Sequence, residues 1–327
     1  MIVAGMAPPP TSTTTDERLE RLSAASLRRV IDPDRDLPGQ IGPGPVLPRE
    51  LLSVADLGLE LTDDQWTKLS REEAASIFDA GVRFEATLMA GFGFMLARQP
   101  NLAEPRSIYI LHEVGEESRH SRMFIRVIGQ LAPTARNPFA RGLFRVFDRV
   151  ILPRIINYQA LFCVLVLTGE EGPDLIQKRT SEHPRTDPFL REVNRYHRME
   201  EARHLSFARM LLPELWANTS FLQHLVVRHL SPAIMAGTFD SLVHPGVYRT
   251  VGLPGWRTWN AARNSESRRQ LKAEAFRPIL AVLRDAGAFG RRRRVPRSWR
   301  KLCRVDIAGQ PTGATGLSVS TPTRVFI

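Results

Sequence analysis

The chain has 327 residues, 43% of them hydrophobic, with 45 Lys and Arg against 34 Asp and Glu and only two Cys. That length can bury a substantial core, and fractions near the globular average exclude a wholly disordered or fibrous chain. Two cysteines build no disulfide framework, so a soluble protein in the reducing cytoplasm is expected.

Met1–Thr15 carries no charge and only a short apolar run before Pro8, Pro9 and Pro10, unlike a secretory leader. Pro33, Pro38, Pro43, Pro45 and Pro48 then exclude helix interiors, so residues 1–48 are expected to be poorly ordered. From there the dominant period is helical. Helices are predicted at about 63–98, 105–131, 138–151, 155–180, 186–215, 219–240 and 265–287, separated by Pro100, Pro133, Pro138, Pro153, Pro184 and Pro188. With alternating β-type runs scarce and no Gly-rich phosphate loop after a strand, residues 49–288 are expected to form one all-α domain. Its longest apolar run, Ala160–Thr168, is too short to span a bilayer.

Residues 289–327 read as a tail. Positions 291–304 hold eight basic groups and no acidic one, which accounts for most of the net charge of +11, and 305–327 are rich in Gly, Thr, Ser and Pro. Such a basic run either stays solvated or attracts nucleic acid, an anionic membrane or an acidic protein partner. No nucleic-acid-reading module accompanies it, so specific recognition of nucleic acid is not expected.

Two segments repeat one pattern. Glu116-Glu117-Ser118-Arg119-His120 and Glu200-Glu201-Ala202-Arg203-His204 are both E-E-x-R-H, and both embed Glu-x-x-His. Residues three apart share a helix face, so one carboxylate and one imidazole can reach a common metal. Apolar stripes pass through both: Ile110, Glu113, Glu117, His120, Phe124, Val127 and Leu131 in the first, and Leu190, Val193, His197, Glu201, His204, Ala208 and Leu211 in the second. The Glu and His of each copy are therefore expected on buried faces, where an uncompensated carboxylate costs several kcal/mol.

Two helices each giving Glu-x-x-His match the di-iron carboxylate bundle, a ferritin-like four-helix arrangement in which two further helices each give a Glu. Before the first copy, Glu85 lies on the stripe Phe78, Val82, Glu85, Met89, Phe92, Leu96. Before the second, Glu170 and Glu171 are both candidates, with Asp174 placed to hydrogen-bond a ligand. Gly169, Gly172 and Pro173 interrupt the helical pattern there, so spacing alone does not separate the two glutamates. Four carboxylates balance two divalent cations, and carboxylate with imidazole and no thiolate suits Fe, with Mn the alternative, rather than structural Zn. Cys163 and Cys303 have no metal-ligand spacing.

His197, four residues before Glu201 on the same stripe, offers a third imidazole. Across roughly residues 60–240 the chain resembles the p-aminobenzoate N-oxygenase family of di-iron arylamine oxygenases. The resemblance rests on Glu85, Glu117-Ser-Arg-His120, Glu170 and His197-x-x-x-Glu201-x-x-His204. It favours Glu170 over Glu171 and implies two iron ions held by Glu85, Glu117, His120, Glu170, His197, Glu201 and His204. It further implies activation of O2, oxygenation of an arylamine or related small amine at nitrogen, and, by analogy alone, a homodimer. With no flavin or iron–sulfur motif in the sequence, electrons are expected from a separate reductase or a small reductant. The other readings of such a centre are desaturation or hydroxylation of an acyl or carrier-bound substrate, and ferritin-type iron binding without catalysis.

Neighbouring residues are assigned structure. His112-Glu113 lacks the second His of a zincin. Glu113 faces the site one turn from Glu117 and is either a supporting group or an ordinary buried carboxylate with a partner. Glu116, Glu200, Arg119 and Arg203 fall roughly 100° off the ligand face and are expected in surface or inter-helix ion pairs. Phe92, Phe94 and Met95 are expected in the core or a substrate pocket. Tyr109 and Tyr196 are not placed beside the ligands, and His183, His224, His229 and His244 have no partner spacing.

Overall fold

The computed structural model describes residues 14–140, 150, 152–290 and 293–312. Thr14 opens α1 (Thr15–Arg28) with a capping box: its hydroxyl accepts from Glu17 N–H while the Glu17 carboxylate accepts from Thr14 N–H. The same device at Thr62 and Gln65 opens α2 (Asp63–Ala97). Pro105 in the first turn starts α3 (Pro105–Leu131), which ends at Ala132 in the left-handed region. Beyond lie α4 (Gln159–Glu182), α5 (Pro188–Trp216, capped by Asp187), α6 (Ser231–Ser241), α7 (Glu266–Asp285) and α8 (Arg297–Cys303). Among the described residues there are no strands, only an isolated bridge between Val305 and Pro311. The fold is all-α and ferritin-like. None of the described helices is long and apolar enough to cross a membrane.

Two hairpins make the bundle. α2 packs along α3 and α4 along α5, while α2–α4 and α3–α5 contacts join the pairs and α7 covers α4. The buried stripes of α2 through α5 therefore converge on one axis. One apolar cluster, containing Leu88, Phe92, Phe162, Phe207 and Phe276, lies toward one end; a second, containing Phe78, Phe124, Val127, Phe189 and Tyr248, lies toward the other.

The described part of 1–48 departs from the expected disorder. α1 lies against α3 and α5 and buries Leu19 completely. The Pro-rich strap behind it is held by its backbone: Gly42 N–H donates to Asp187, Val46 C=O accepts from Asp187 N–H, and Arg71 donates to Gly42 C=O. Leu37, Val46 and Leu47 are buried beneath it. Prolines exclude helix interiors, not docking, and here an extended segment is satisfied by side chains of the bundle. Residues 1–13 lie outside the described residues.

The basic segment departs similarly. Arg297–Cys303 is helical, with Trp299 and Cys303 four apart on one buried face and Arg297 and Lys301 exposed. Trp299 Nε1–H donates to Val227 C=O at 2.9 Å, at the π-helical turn Val226–Leu230 that leads into α6. Arg291, Arg292 and the Gly/Thr/Ser-rich stretch 313–327 lie outside the described residues. So does most of the helix predicted at 138–151, where the short turn Pro138–Ala140 and Val150 are described.

Gly169, Gly172 and Pro173 do not interrupt α4. The glycines instead admit neighbours: a Cβ on Gly169 would lie 1.7 Å from the ring of Phe84, and one on Gly172 would lie 3.2 Å from Phe239. Close approach of α2 to α4 at this level depends on Gly169. Gly169→Ala should therefore destabilise the fold by about 1–3 kcal/mol through overpacking, read as a lower denaturant midpoint.

Candidate metal centre

Each helix of the bundle sends side chains to the shared axis: α2 gives Glu85, α3 gives Glu117 and His120, α4 gives Glu170, and α5 gives His197, Glu201 and His204. All seven are at most 3% exposed. They assemble as three overlapping groups, Glu85/His120/His197/Glu201, Glu117/Glu201/His204 and Glu85/Glu117/Glu170, with candidate ligand atoms within 4.8 Å of one another inside each group. Every residue expected at a metal is thus brought to one place. Of the two candidates on α4, Glu170 is the one that joins; Glu171 turns away to pair with Arg209.

The imidazoles are held in a regular way. His120 Nδ1 faces the cluster, 3.2 Å from Glu201 and 3.4 Å from Glu117, while its Nε2–H donates to Glu200 at 3.0 Å. His204 repeats this with Nδ1 3.0 Å from Glu201 and 3.2 Å from Glu117, and Nε2–H donating to Glu116 at 2.8 Å. His197 is reversed: Nε2 lies 3.3 Å from both Glu85 and Glu201, and Nδ1–H donates to Gln177 at 2.7 Å. In each ring one nitrogen is fixed by a polar partner and the other faces the cluster, the arrangement that orients a metal-binding histidine.

The repeat is consequently reciprocal. The first Glu of each E-E-x-R-H copy holds the His of the other copy, and Arg203 reaches Glu116 at 2.8 Å while Arg119 reaches Glu200 at 3.5 Å. Glu116 and Glu200 form inter-helix ion pairs, as one of the two expectations had it, but they are buried rather than on the surface. Tyr196 also takes part, its hydroxyl donating to Glu200 at 2.8 Å. Gln177 was not anticipated, although it continues the Glu170–Asp174 face of α4 by one turn. Asp174 does not serve a cluster residue; it pairs with Arg198 at 2.7 Å, partly exposed. Phe92 and Met95 are core, whereas Phe94 is 49% exposed with Arg98 over its ring.

Charge explains what these groups do without cations. Burial pushes the carboxyls of Glu85 and Glu170 well above the ordinary carboxylate range, and the charges of Glu117 and Glu201 respectively add to it. For Glu117, burial and the Glu201 charge act upward, but a hydrogen bond from Glu85 and the nearby His204 and His120 outweigh them and bring it down to about 2. Burial opposes charging of His120 and His204, yet their carboxylate partners raise both well above the usual imidazole value. His197, desolvated and beside His120, falls to about 3. Protons thus stand in for positive charge.

They do so incompletely. Glu85, Glu117, Glu170 and Glu201 each keep one buried oxygen without a hydrogen-bond partner, which costs of order 1–3 kcal/mol or more apiece. Carboxylate oxygens left unbonded at the centre of a group of four carboxylates and three oriented imidazoles fit divalent cations.

An all-α bundle with such a cluster on its axis has the construction of the ferritin-like carboxylate proteins. The chain belongs to the p-aminobenzoate N-oxygenase AurF family, which it matches over residues 12–287; that family is one of di-iron oxygenases, and the buried Glu/His cluster could bind metal. The match reaches beyond the 60–240 stretch on which the resemblance was read, taking in α1 and α7. Uncharacterised proteins of Mycobacterium bovis and Mycobacterium tuberculosis are each 26% identical over 314 residues, covering 90% of this chain and 88% of theirs.

Glu116 provides a test of the bracing that needs no metal. Burial raises its pKa, but the hydrogen bond and charge of His204 and the Arg203 guanidinium more than offset this and hold it at about 2. A carboxyl lowered on folding stabilises the fold above its unfolded value, and that stability is lost as pH falls through the folded one. The metal-free protein should lose stability between about pH 4.5 and 2 by chemical denaturation, and Glu116→Gln should flatten that slope.

Proposed function

We propose that the chain is a di-iron monooxygenase that transfers oxygen from O2 to the nitrogen of an arylamine or related amine, with electrons from a separate reductase or small reductant. Glu85, Glu117, His120, Glu170, His197, Glu201 and His204 hold the metals. Bound iron supplies the redox chemistry of O2 reduction; manganese is the other ion the donor set accommodates. The observation that carries this reading is His197. A third imidazole, aimed by Gln177 and within 3.3 Å of Glu85 and Glu201, exceeds the two histidines of the common four-Glu, two-His bundle.

The protein's own contribution is orientation and dryness. Glu116, Glu200 and Gln177 fix the three rings and their tautomers, so each presents a lone pair to the cluster. Rings packed on both sides of the cluster, Phe124 with His197 at 4.8 Å among them, exclude water that would compete for the donor atoms.

Anaerobic loading with Fe2+ should give two iron ions per chain. Addition of O2, a reductant and an arylamine should then yield the hydroxylamine, nitroso or nitro product, read by mass spectrometry. Oxidation confined to an acyl chain, or slow mineralisation indifferent to the amine, would overturn the assignment. His197→Ala should lower both iron stoichiometry and turnover; unchanged values would remove His197 from the ligand set. Glu116→Ala and Glu200→Ala should each weaken metal binding by about 10- to 100-fold while leaving the ligands in place.

A further inference from the structure

Glu113 is the one carboxylate on the ligand-bearing face of α3 that neither joins the cluster nor finds a partner. It lies one turn before Glu117, is 0% exposed, and has no hydrogen bond to either oxygen. Tyr109, one turn earlier on the same face, is also fully buried with its hydroxyl unbonded; it approaches Glu113 without forming a well-aligned hydrogen bond. Tyr109, Glu113 and Glu117 thus make a polar column running from the aromatic half of the core to the cluster. The walls are rings: Phe207 lies 4.8 Å from Tyr109, centroid to centroid, and Phe92 packs on Phe207 at 6.4 Å and on Phe162 at 5.2 Å.

A buried carboxyl with no partner is costly, and a leucine at 113 would continue the apolar stripe without that cost. Glu113 and Tyr109 therefore await polar atoms supplied from outside the chain. A carboxyl oxygen accepts hydrogen bonds, so a group it suits carries N–H donors. The surrounding rings suit an aromatic body attached to that group.

We propose that Glu113, supported by Tyr109, is the recognition point for the substrate's amino group. An N–H of an arylamine donates to Glu113, so the nitrogen lone pair is turned away from the carboxyl and toward the cluster one helical turn along α3. The assignment rests on the N-oxygenation reading above and deepens it: the amine end of the substrate lies next to Glu113.

Binding to zinc-loaded protein, which is redox-inert, separates recognition from turnover. Calorimetric titration with aniline should show binding to the wild type, weakened about tenfold or more in Glu113→Leu and in large part retained in Glu113→Gln, whose carbonyl still accepts an N–H. Metal stoichiometry should be unchanged in both variants. The metal-free Glu113→Leu protein should melt roughly 2–4 °C higher, because the unbonded carboxyl is gone; a structural carboxylate would give a lower melting temperature. Tyr109→Phe, the milder change, should raise KM for the amine with a smaller effect on kcat. Equal aniline affinity in wild type and Glu113→Leu, no aniline binding by the zinc-loaded wild type, or a lowered melting temperature would overturn the proposal. Wild-type protein that oxidises arylamines while Glu113→Leu matches it in KM and kcat would sink this assignment alone; iron-loaded wild type that oxidises no amine would sink the functional reading itself.

Discussion

Four carboxylates gathered into one cluster inside a dry helical bundle are mutually repulsive, and the architecture around them is organised to tolerate that. Glu85, Glu117, Glu170 and Glu201 come from four different helices, so their approach requires the two hairpins to close on each other. Without cations, protonation of Glu85 and Glu170 and charging of His120 and His204 relieve part of the repulsion. The oxygens left unbonded mark the part that protons do not relieve. Divalent ions held by these residues would take the place of those protons, which would link folding to metal loading.

Why the cluster was legible in the sequence is a matter of period. Glu85, Glu117, His120, Glu170, His197, Glu201 and His204 each sit on an apolar stripe, and amphipathic helices of a bundle have only one place to put that stripe. A charged residue on the stripe is therefore a residue on the axis. The spacing within each E-E-x-R-H copy gave the Glu and His that meet in the cluster, and the resemblance separated Glu170 from Glu171 where α4's glycines obscured the pattern.

What stayed hidden involves neighbours rather than the helix on which a residue lies. Glu116 and Glu200 are off their own ligand faces, but in an antiparallel bundle the flank of one helix looks onto the ligand face of the next. Gln177 is an uncharged residue two turns past Glu170, with no signal to distinguish it from any other glutamine. Gly169 reads as a breaker until the ring of Phe84 is seen occupying the space of its missing side chain. The docked strap around Gly42 and Val46 and the helix around Trp299 read as terminal segments because proline and arginine content describes solubility and helix interiors, not whether a surface exists to receive the chain.

The cross-connection of the two motifs sets a register key. Because Glu116 grips His204 while Glu200 grips His120, a slip of α3 against α5 by a single residue, 1.5 Å along and 100° around, would disconnect both histidines at once. One alignment of the two helices satisfies both grips together, so the precision of the cluster is written into protein–protein contacts alone.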